Sequence, residues 1–161
     1  MSDFIMFQRV AETLEEMGKA IGEAYKKNLT DSNRNASHNL YNSIKSHVRV
    51  NNTTYDVELD MEHYWKYIEY GTKPHFPPVS KILEWVRIKP VLPTPMQNGK
   101  LPTEEDLAWM IARKIEREGT EGKPDLENAL ESELDMWEHR IEDALDSDVL
   151  DSFDRVWALL G

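Results

Sequence analysis

The stretch SIKSHVRVNNTTYDVELDM, residues 43–61, carries the clearest secondary-structure pattern in the chain. Apolar and polar residues alternate on both sides of an Asn-Asn-Thr turn at 51–53, as in two strands that each bury one face. The alternating apolar residues are Ile44, Val48 and Val50 in the first strand and Tyr55, Val57, Leu59 and Met61 in the second. The stretch therefore predicts an antiparallel β-hairpin.

Outside the hairpin, apolar residues recur three and four positions apart, which is the spacing of amphipathic helices. This spacing predicts an N-terminal helix over 3–28, in which Gly18 and Gly22 indicate close packing, and a short helical turn at 39–45. Further helices are predicted over 61–70, 79–89, 104–118, 124–145 and 148–160. The expected fold is α+β, with an N-terminal helix, a small antiparallel sheet containing the hairpin, several packed helices and an acidic C-terminal helical extension.

Glycine, proline and capping residues mark the helix ends. Gly71 lies where a left-handed C-cap would end the helix over 61–70, and Gly119 ends the helix over 104–118. Thr103 and Asp106 form an imperfect capping box at the start of that later helix. The proline-rich segments TKPHFPP (72–78) and PVLPTPMQNGKLP (90–102) predict irregular loops.

Length and charge suggest a near-neutral body with an acidic end. The 161 residues suit one domain, which we assign to residues 1–130. We assign residues 131–161 to a helical extension packed on that domain or on a neighbouring subunit. Of the net charge of −11, residues 1–103 carry 13 basic and 12 acidic side chains, and the remaining residues carry 6 basic and 18 acidic ones. A general nucleic-acid binder needs a basic patch instead, so this pattern favours solubility or a basic partner.

The composition argues against several other classes. No apolar run approaches the length of a membrane span, and the first residues lack the positively charged N-terminal region of a secretory signal peptide. With no cysteine, the chain has no disulfide scaffold, thiolate zinc site or cysteine nucleophile. This composition fits assembly in a reducing cytoplasm.

The titratable residues suggest no catalytic or metal site. The histidines lack ligand spacing such as HxH or HxxxH; they are His38, His47, His63, His75 and His139. A metal-dependent hydrolase using His63, Glu69 and His75 is one alternative. For Glu69 we favour a structural role, either accepting hydrogen bonds from loop amides or pairing with Lys73 or another subunit. The glycines form no phosphate-binding motif, and the acidic tail lacks the EF-hand pattern. We predict no metal, no cofactor and no enzymatic activity.

The tryptophans divide into core and interface candidates. Trp65, Trp85 and Trp109 lie on predicted apolar helix faces and are core candidates. Trp137 and Trp157 lie on the C-terminal helices, which have few remaining elements of the chain to pack against. Because aromatic anchors are enriched at protein interfaces, these two are candidates for contact with another subunit.

Several segments, taken in order, form a larger pattern. They are ASHNLYNSI (36–44), the hairpin, YWKYIEYGTKPHFPP (64–78), ILEWV (82–86) and LAWMIARKIEREGTEGKPDLENAL (107–130). Together they resemble the tail-completion or tail-to-head joining family of tailed bacteriophages. The central motif is carried by Tyr64, Tyr67, Glu69, Tyr70, Gly71 and Thr72, and the late motif by Ile111, Arg113, Ile115, Gly119 and Thr120.

The sequence departs from the family pattern in places. His38 stands where the first motif usually has glycine, and Trp65 stands where the central motif usually has alanine. Residues beyond about 131 lie outside the resemblance, so it implies nothing about the acidic extension.

The resemblance implies a structural virion protein rather than an enzyme. Such proteins form homo-oligomeric rings in the neck, between the portal or adaptor ring and the tail proteins, around a channel through which DNA passes without specific binding. The expected location is the virion, after assembly in the host cytoplasm and without a membrane. An acidic protein-binding adaptor or inhibitor unrelated to virions is the alternative.

The stretch YIEYGTKPHFPPVSKILEW, residues 67–85, is then interpreted as a helix, a glycine stop and a rigid loop presented to an adjoining subunit or ring. Loops stiffened by proline bind with a smaller ordering cost. The predicted interface residues are Tyr64, Tyr67, Glu69, Tyr70, Gly71, Thr72, Lys73, Pro74, His75, Phe76, Trp137 and Trp157. The acidic helices are expected either to line the DNA channel or to meet basic partners.

Overall fold

A computed structural model describes residues 7–34, 37–51, 54–89 and 91–161. In chain order its elements are α1 (Gln8–Asp31), α2 (Asn39–Ser43), β1 (Lys45–Val50), β2 (Tyr55–Asp60), α3 (Trp65–Tyr70), β3 (Gly71–Thr72), α4 (Val79–Ile88), α5 (Glu104–Glu118), β4 (Thr120–Glu121) and α6 (Asp125–Leu160). The predicted α+β fold, with its N-terminal helix, hairpin and acidic C-terminal helix, is confirmed. Within these ranges no helix is both long and apolar enough to span a bilayer.

The chain divides into two compact units, neither of which is continuous in sequence. Unit 1 consists of Met1–Leu29, Ser43–Met61 and Asp125–Gly161, and unit 2 of Thr30–Asn42 and Glu62–Pro124. The boundary that we expected at residue 130 lies inside α6. Charge separates between the units, since unit 1 carries 20 acidic and 8 basic side chains and unit 2 carries 10 acidic and 11 basic ones.

The hairpin of unit 1 is present as predicted. Strands β1 and β2 pair antiparallel, with Val48 opposite Val57, and the turn residues Asn52 and Thr53 lie outside the described residues. A buried cluster in this unit consists of Val10, Leu14 and Ala144, with Phe7, Met17, Val48, Tyr55, Val57 and Ile141 packed against it. Val50, which the alternation places on the same face as Val48, is exposed at the end of β1.

Helix α1 forms the most deeply buried part of unit 1. Ile21, Tyr25 and Leu29 are almost inaccessible to solvent. The helix extends to Asp31, three residues beyond the predicted end, and residues 3–6 lie outside the described part. Gly18 lies against the hairpin, since a Cβ atom there would lie 3.0 Å from the Cβ of Ser46 and 3.0 Å from a methyl group of Val57. The close packing indicated by the glycines is therefore present.

Substitutions at the two α1 glycines should have opposite effects. Gly18→Leu is expected to destabilise the protein by about 1–3 kcal/mol, because the larger side chain must displace the hairpin. Gly22→Ala is expected to stabilise it by up to about 1 kcal/mol, because alanine favours the helix. At Gly22 the nearest heavy atom to an added Cβ, in Ile44, is 3.4 Å away. Urea unfolding of both variants checks this pair, and destabilisation by Gly22→Ala would contradict it.

The acidic C-terminal region is one helix, α6, rather than the two predicted ones. The helix has 36 residues and continues through the expected break at 146–147. Residues on both sides of that point, Ala144 and Asp148, are buried, and neither Asp146 nor Ser147 is a helix breaker. Burial of one continuous face therefore outweighs the weak helix propensity of aspartate and serine.

Helices α4 and α5 pack against each other in unit 2. Of the tryptophans that we assigned to the core, Trp85 and Trp109 are exposed, and only Trp65 of the three is partly buried. The prediction is wrong because an apolar helix face indicates only which residues can be buried. Whether they are buried depends on whether another element packs against that face. In α3 the buried residue is Glu69, not one of the aromatic residues.

The capping box that begins α5 is complete. The Thr103 hydroxyl accepts a hydrogen bond from the Asp106 backbone N–H at 3.1 Å, and the Asp106 carboxylate accepts one from the Thr103 backbone N–H at 3.0 Å. The carboxylate also accepts a hydrogen bond from the Thr103 hydroxyl at 2.9 Å. These bonds, the backbone one first, lower the pKa of Asp106 below its usual value of 3.8.

The capping box should make part of the stability of α5 dependent on pH. Because the folded-state pKa of Asp106 is depressed, its contribution is present above the unfolded-state pKa and is lost as the pH falls through the folded-state pKa. Thr103→Ala removes the hydroxyl, so the pKa of Asp106 should rise towards 3.8. Carbon-detected NMR titration of Asp106 in both proteins measures this, and an unchanged pKa would contradict it.

Candidate functional site

The central and late motifs meet in a two-stranded pair in unit 2. Strand β3 pairs antiparallel with β4, so that Gly71 lies opposite Glu121 and Thr72 lies opposite Thr120. The hydroxyl oxygens of the two threonines are 2.9 Å apart. Two Gly-Thr dipeptides, each directly after a helix, are thus joined into one small structure.

This pair requires glycine at both helix ends. Gly71 and Gly119 have φ angles of 73°, where side chains other than glycine are strained. A Cβ atom on Gly71 would lie 2.1 Å from the Thr120 carbonyl oxygen, and one on Gly119 would lie 2.1 Å from the Thr72 carbonyl oxygen. The left-handed C-cap predicted at Gly71 is corrected, because its ψ of −169° starts a strand instead.

The loop after β3 is fastened to α5. The His75 backbone N–H donates a hydrogen bond to the Ile115 carbonyl at 3.3 Å, and the His75 ring nitrogen Nδ1 lies 2.8 Å from the Lys73 carbonyl oxygen. The rings of Phe76 and Trp109 are in contact, with centroids 5.8 Å apart. Lys73 and His75 are exposed, so the segment is a fixed loop with exposed side chains.

The predicted interface residues differ in their exposure. Tyr67 is 58% exposed, Tyr70 is 74% exposed and Phe76 is 46% exposed. Glu69 is buried, and the other residues of the set, Tyr64, Gly71, Thr72 and Pro74, lie within the same short segment. The aromatic part of the segment therefore offers solvent-exposed contact area, while Glu69 belongs to the interior of unit 2.

The two late tryptophans have different surroundings. Trp137 is buried in unit 1, where its indole N–H donates to the Glu133 carboxylate at 3.0 Å and the Arg140 guanidinium lies over its ring at 4.1 Å. Trp157 is 80% exposed. Trp157 is therefore the member of this pair that the structure leaves open to a partner.

Unit 2 contains a pocket of about 650 Å³ that sequence reasoning missed. Its walls include the aromatic rings of Tyr64, Tyr67 and Trp85 and the cations of Arg34, Lys89 and Lys123; we call it the cationic pocket. No Asp or Glu is among its lining residues. The lining residues come from five separate stretches between Ser32 and Lys123, so no local motif could have revealed it.

Carbonyl groups accept hydrogen bonds from two of the three cations of this pocket. Arg34 donates to the carbonyls of Ile68 at 3.4 Å and Glu121 at 3.1 Å, and Lys89 donates to the carbonyl of Asn33. Burial of the ammonium and repulsion from Arg34 lower the pKa of Lys89. Among the described residues, no ion pair joins Arg34, Lys89 or Lys123 to a carboxylate. Within the described ranges, ion pairs therefore leave the positive charge of the pocket uncompensated.

Helix α6 presents a continuous stripe at the C-terminal end of unit 1. Residues spaced by three and four positions share one face of a helix. Here they are Asp143, Asp146, Leu150, Phe153, Trp157 and Leu160, and we call them the α6 stripe. All of its members are exposed. An acidic end thus passes into an apolar end along one helix face.

The histidines and carboxylates do not converge on a metal site in the part of the chain that the structure describes. No group of three or more His, Asp or Glu side chains there is placed to hold an ion.

Comparison with known proteins gives no relative. No family model, curated protein or solved structure matches this chain.

Proposed function

We propose that this protein is a structural subunit of a tailed-phage virion, forming a homo-oligomeric ring in the neck that joins the portal or adaptor ring to the tail. DNA passes through the channel of the ring without specific binding. The proposal begins from the sequence resemblance described above, and the exposed surfaces of the two units support it.

The observation that carries the proposal is that one acidic chain exposes two different apolar surfaces. Unit 2 exposes the aromatic side chains Tyr67, Tyr70, Phe76 and Trp109, and unit 1 exposes the apolar end of the α6 stripe. Exposed apolar surface of this kind marks sites of protein association. Two unlike surfaces on one subunit are what a heterologous, head-to-tail contact uses, and such contacts close into rings when the rotation between subunits allows.

The paired Gly-Thr dipeptides lend further support. The central and late motifs of the resemblance lie 48 residues apart in sequence and form one paired structure through β3 and β4. They act as a single feature that fixes the ends of α3 and α5. A rigid framework lowers the ordering cost when the neighbouring exposed loop binds a partner.

The distribution of charge suits a conduit for DNA. Unit 1 carries an excess of 12 acidic side chains over basic ones, whereas unit 2 is close to neutral. An acidic lumen would repel phosphate groups and let DNA move without sticking.

The native mass of the purified protein over a range of concentrations tests the proposal, together with negative-stain images of the same samples. We expect closed rings, either of the protein alone or on addition of portal complexes. A compact monomer that does not respond to portal complexes would overturn the neck assignment.

The acidity of unit 1 also favours a second candidate, an acidic adaptor or inhibitor of a basic protein unrelated to virions. This candidate predicts a monomer or dimer that forms a stoichiometric, salt-sensitive complex with a basic partner. Ring formation in the same mass measurements would exclude it.

A further inference from the structure

The cationic pocket of unit 2 and the α6 stripe of unit 1 have complementary charges. Arg34, Lys89 and Lys123 bring positive charge to a pocket whose lining contains no carboxylate. The acidic residues of the stripe, Asp143 and Asp146, are exposed and join no ion pair among the described residues. Asp154, next to Phe153 in sequence, is likewise exposed and unpaired within those ranges. The cations of the pocket and the carboxylates of α6 could therefore pair with each other.

The two surfaces also match in apolar character and size. The pocket has the aromatic walls of Tyr64, Tyr67 and Trp85, and the stripe projects Phe153 and Trp157. One turn of helix, about 10–12 Å across and 5.4 Å in pitch, occupies roughly 400–600 Å³. The pocket volume of about 650 Å³ is therefore sufficient for the turn that carries these two rings.

We infer that the cationic pocket of one copy binds the α6 stripe of a second copy, with Phe153 and Trp157 against the aromatic walls and the aspartates towards Arg34, Lys89 and Lys123. The inference rests on the proposed ring and names the contact that would close it. Because every copy carries both surfaces, each subunit holds one neighbour and is held by another, which is the head-to-tail arrangement of a ring.

Charge reversal on each side provides the test. The pocket variant is Lys89→Glu with Lys123→Glu, the stripe variant is Asp143→Lys with Asp146→Lys, and a combined variant carries all four changes. Like charges that face each other at an interface repel and oppose association. The pocket variant and the stripe variant should each need at least tenfold more protein to associate, and the combined variant should return to within about threefold of the wild type.

Matched controls separate this contact from the effect of net charge. Lys19→Glu with Lys27→Glu changes the charge as the pocket variant does, on exposed positions of α1. Glu131→Lys with Glu138→Lys changes it as the stripe variant does, on exposed positions of α6 outside the stripe. Both controls should associate like the wild type. The stripe variant alters exposed side chains only, so it remains informative if the pocket variant fails to fold.

The outcomes distinguish this contact from the ring itself. Rings that form equally well in the pocket and stripe variants would overturn the inference and leave the ring proposal standing. If the combined variant regains association but the oligomer is a closed dimer, the contact would be supported and the ring overturned. A combined variant that associates as poorly as its parents would overturn the contact, as would a wild type that remains monomeric at all concentrations with and without portal complexes. Tight binding of inorganic phosphate without association between copies would identify the pocket as a phosphate site and overturn the inference.

Discussion

Gly71→Ala is expected to destabilise unit 2 by about 3 kcal/mol or more, the largest effect that we predict for a single small substitution. The added Cβ atom would lie 2.1 Å from the Thr120 carbonyl oxygen and 2.6 Å from the Gly122 backbone nitrogen. Backbone atoms cannot move aside as a flexible side chain can, so the β3–β4 pair must separate. The positive φ adds strain to the clash.

Gly99→Ala is the matched control for this prediction. Gly99 has the same φ of 73°, and no heavy atom lies within 4 Å of a Cβ atom built there. Its cost should be the backbone strain alone, about 1–2 kcal/mol. Urea unfolding gives the two free-energy changes, and amide hydrogen exchange locates the loss. Equal effects of the two substitutions would show that the clash at β3–β4 is relieved without cost, which would contradict the prediction.

The second large effect is expected at Asp148, a buried carboxylate on α6. Its Oδ2 accepts a hydrogen bond from the Val10 backbone N–H at 3.0 Å, and Arg9 lies 3.4 Å from its Oδ1. Val10 lies in the first turn of α1, where backbone N–H groups have no partner within the helix. Asp148 therefore caps α1 from 138 residues away, and its negative charge favours that helix end.

Asp148→Ala is expected to destabilise the protein by about 2–3 kcal/mol, because a buried N–H loses its acceptor. Asp148→Asn keeps an acceptor oxygen and should cost less. Asp135→Ala, at an exposed position of the same helix, should change stability by less than about 0.5 kcal/mol. Hydrogen exchange at the Val10 amide gives a direct measurement, and full protection of that amide in Asp148→Ala would contradict the assignment.

The acidic C-terminal region is partly buried and so is not a solvent-exposed tail throughout. Residues beyond 131 include Trp137, Ala144 and Asp148, all buried in unit 1. From Phe153 to Leu160 every residue of α6 is exposed and available to other molecules.

Patterns read from neighbouring residues determined the local elements. Alternation over 43–61 was sufficient for the hairpin, since a period of two has no helical interpretation. Thr103, Asp106 and Gly119 bounded α5 correctly, because capping depends on hydrogen bonds within a few residues. The aromatic interface candidates around Tyr67 and Tyr70 were likewise found locally, and these side chains are exposed.

Features that depend on distant contacts could not be read in this way. The sequence marked Gly71 and Gly119 as helix ends, but their pairing through β3 and β4 depends on two segments 48 residues apart. The cationic pocket gathers residues from 32 to 123, and the exposure of Trp85 and Trp109 depends on which elements pack on their faces. Apolar residues at helical spacing indicate only which side chains can be buried together, not whether another element covers them.

The sequence by itself thus determined the α+β class, the hairpin, the capped helices and the acidity of the C-terminal region, because each follows from short-range periodicity, capping chemistry or composition. Only the tertiary structure decided that α6 is one helix, that Asp148 caps α1, and that the two Gly-Thr dipeptides form one pair. These outcomes depend on the free energy of contacts between residues far apart in the chain, which no local pattern encodes.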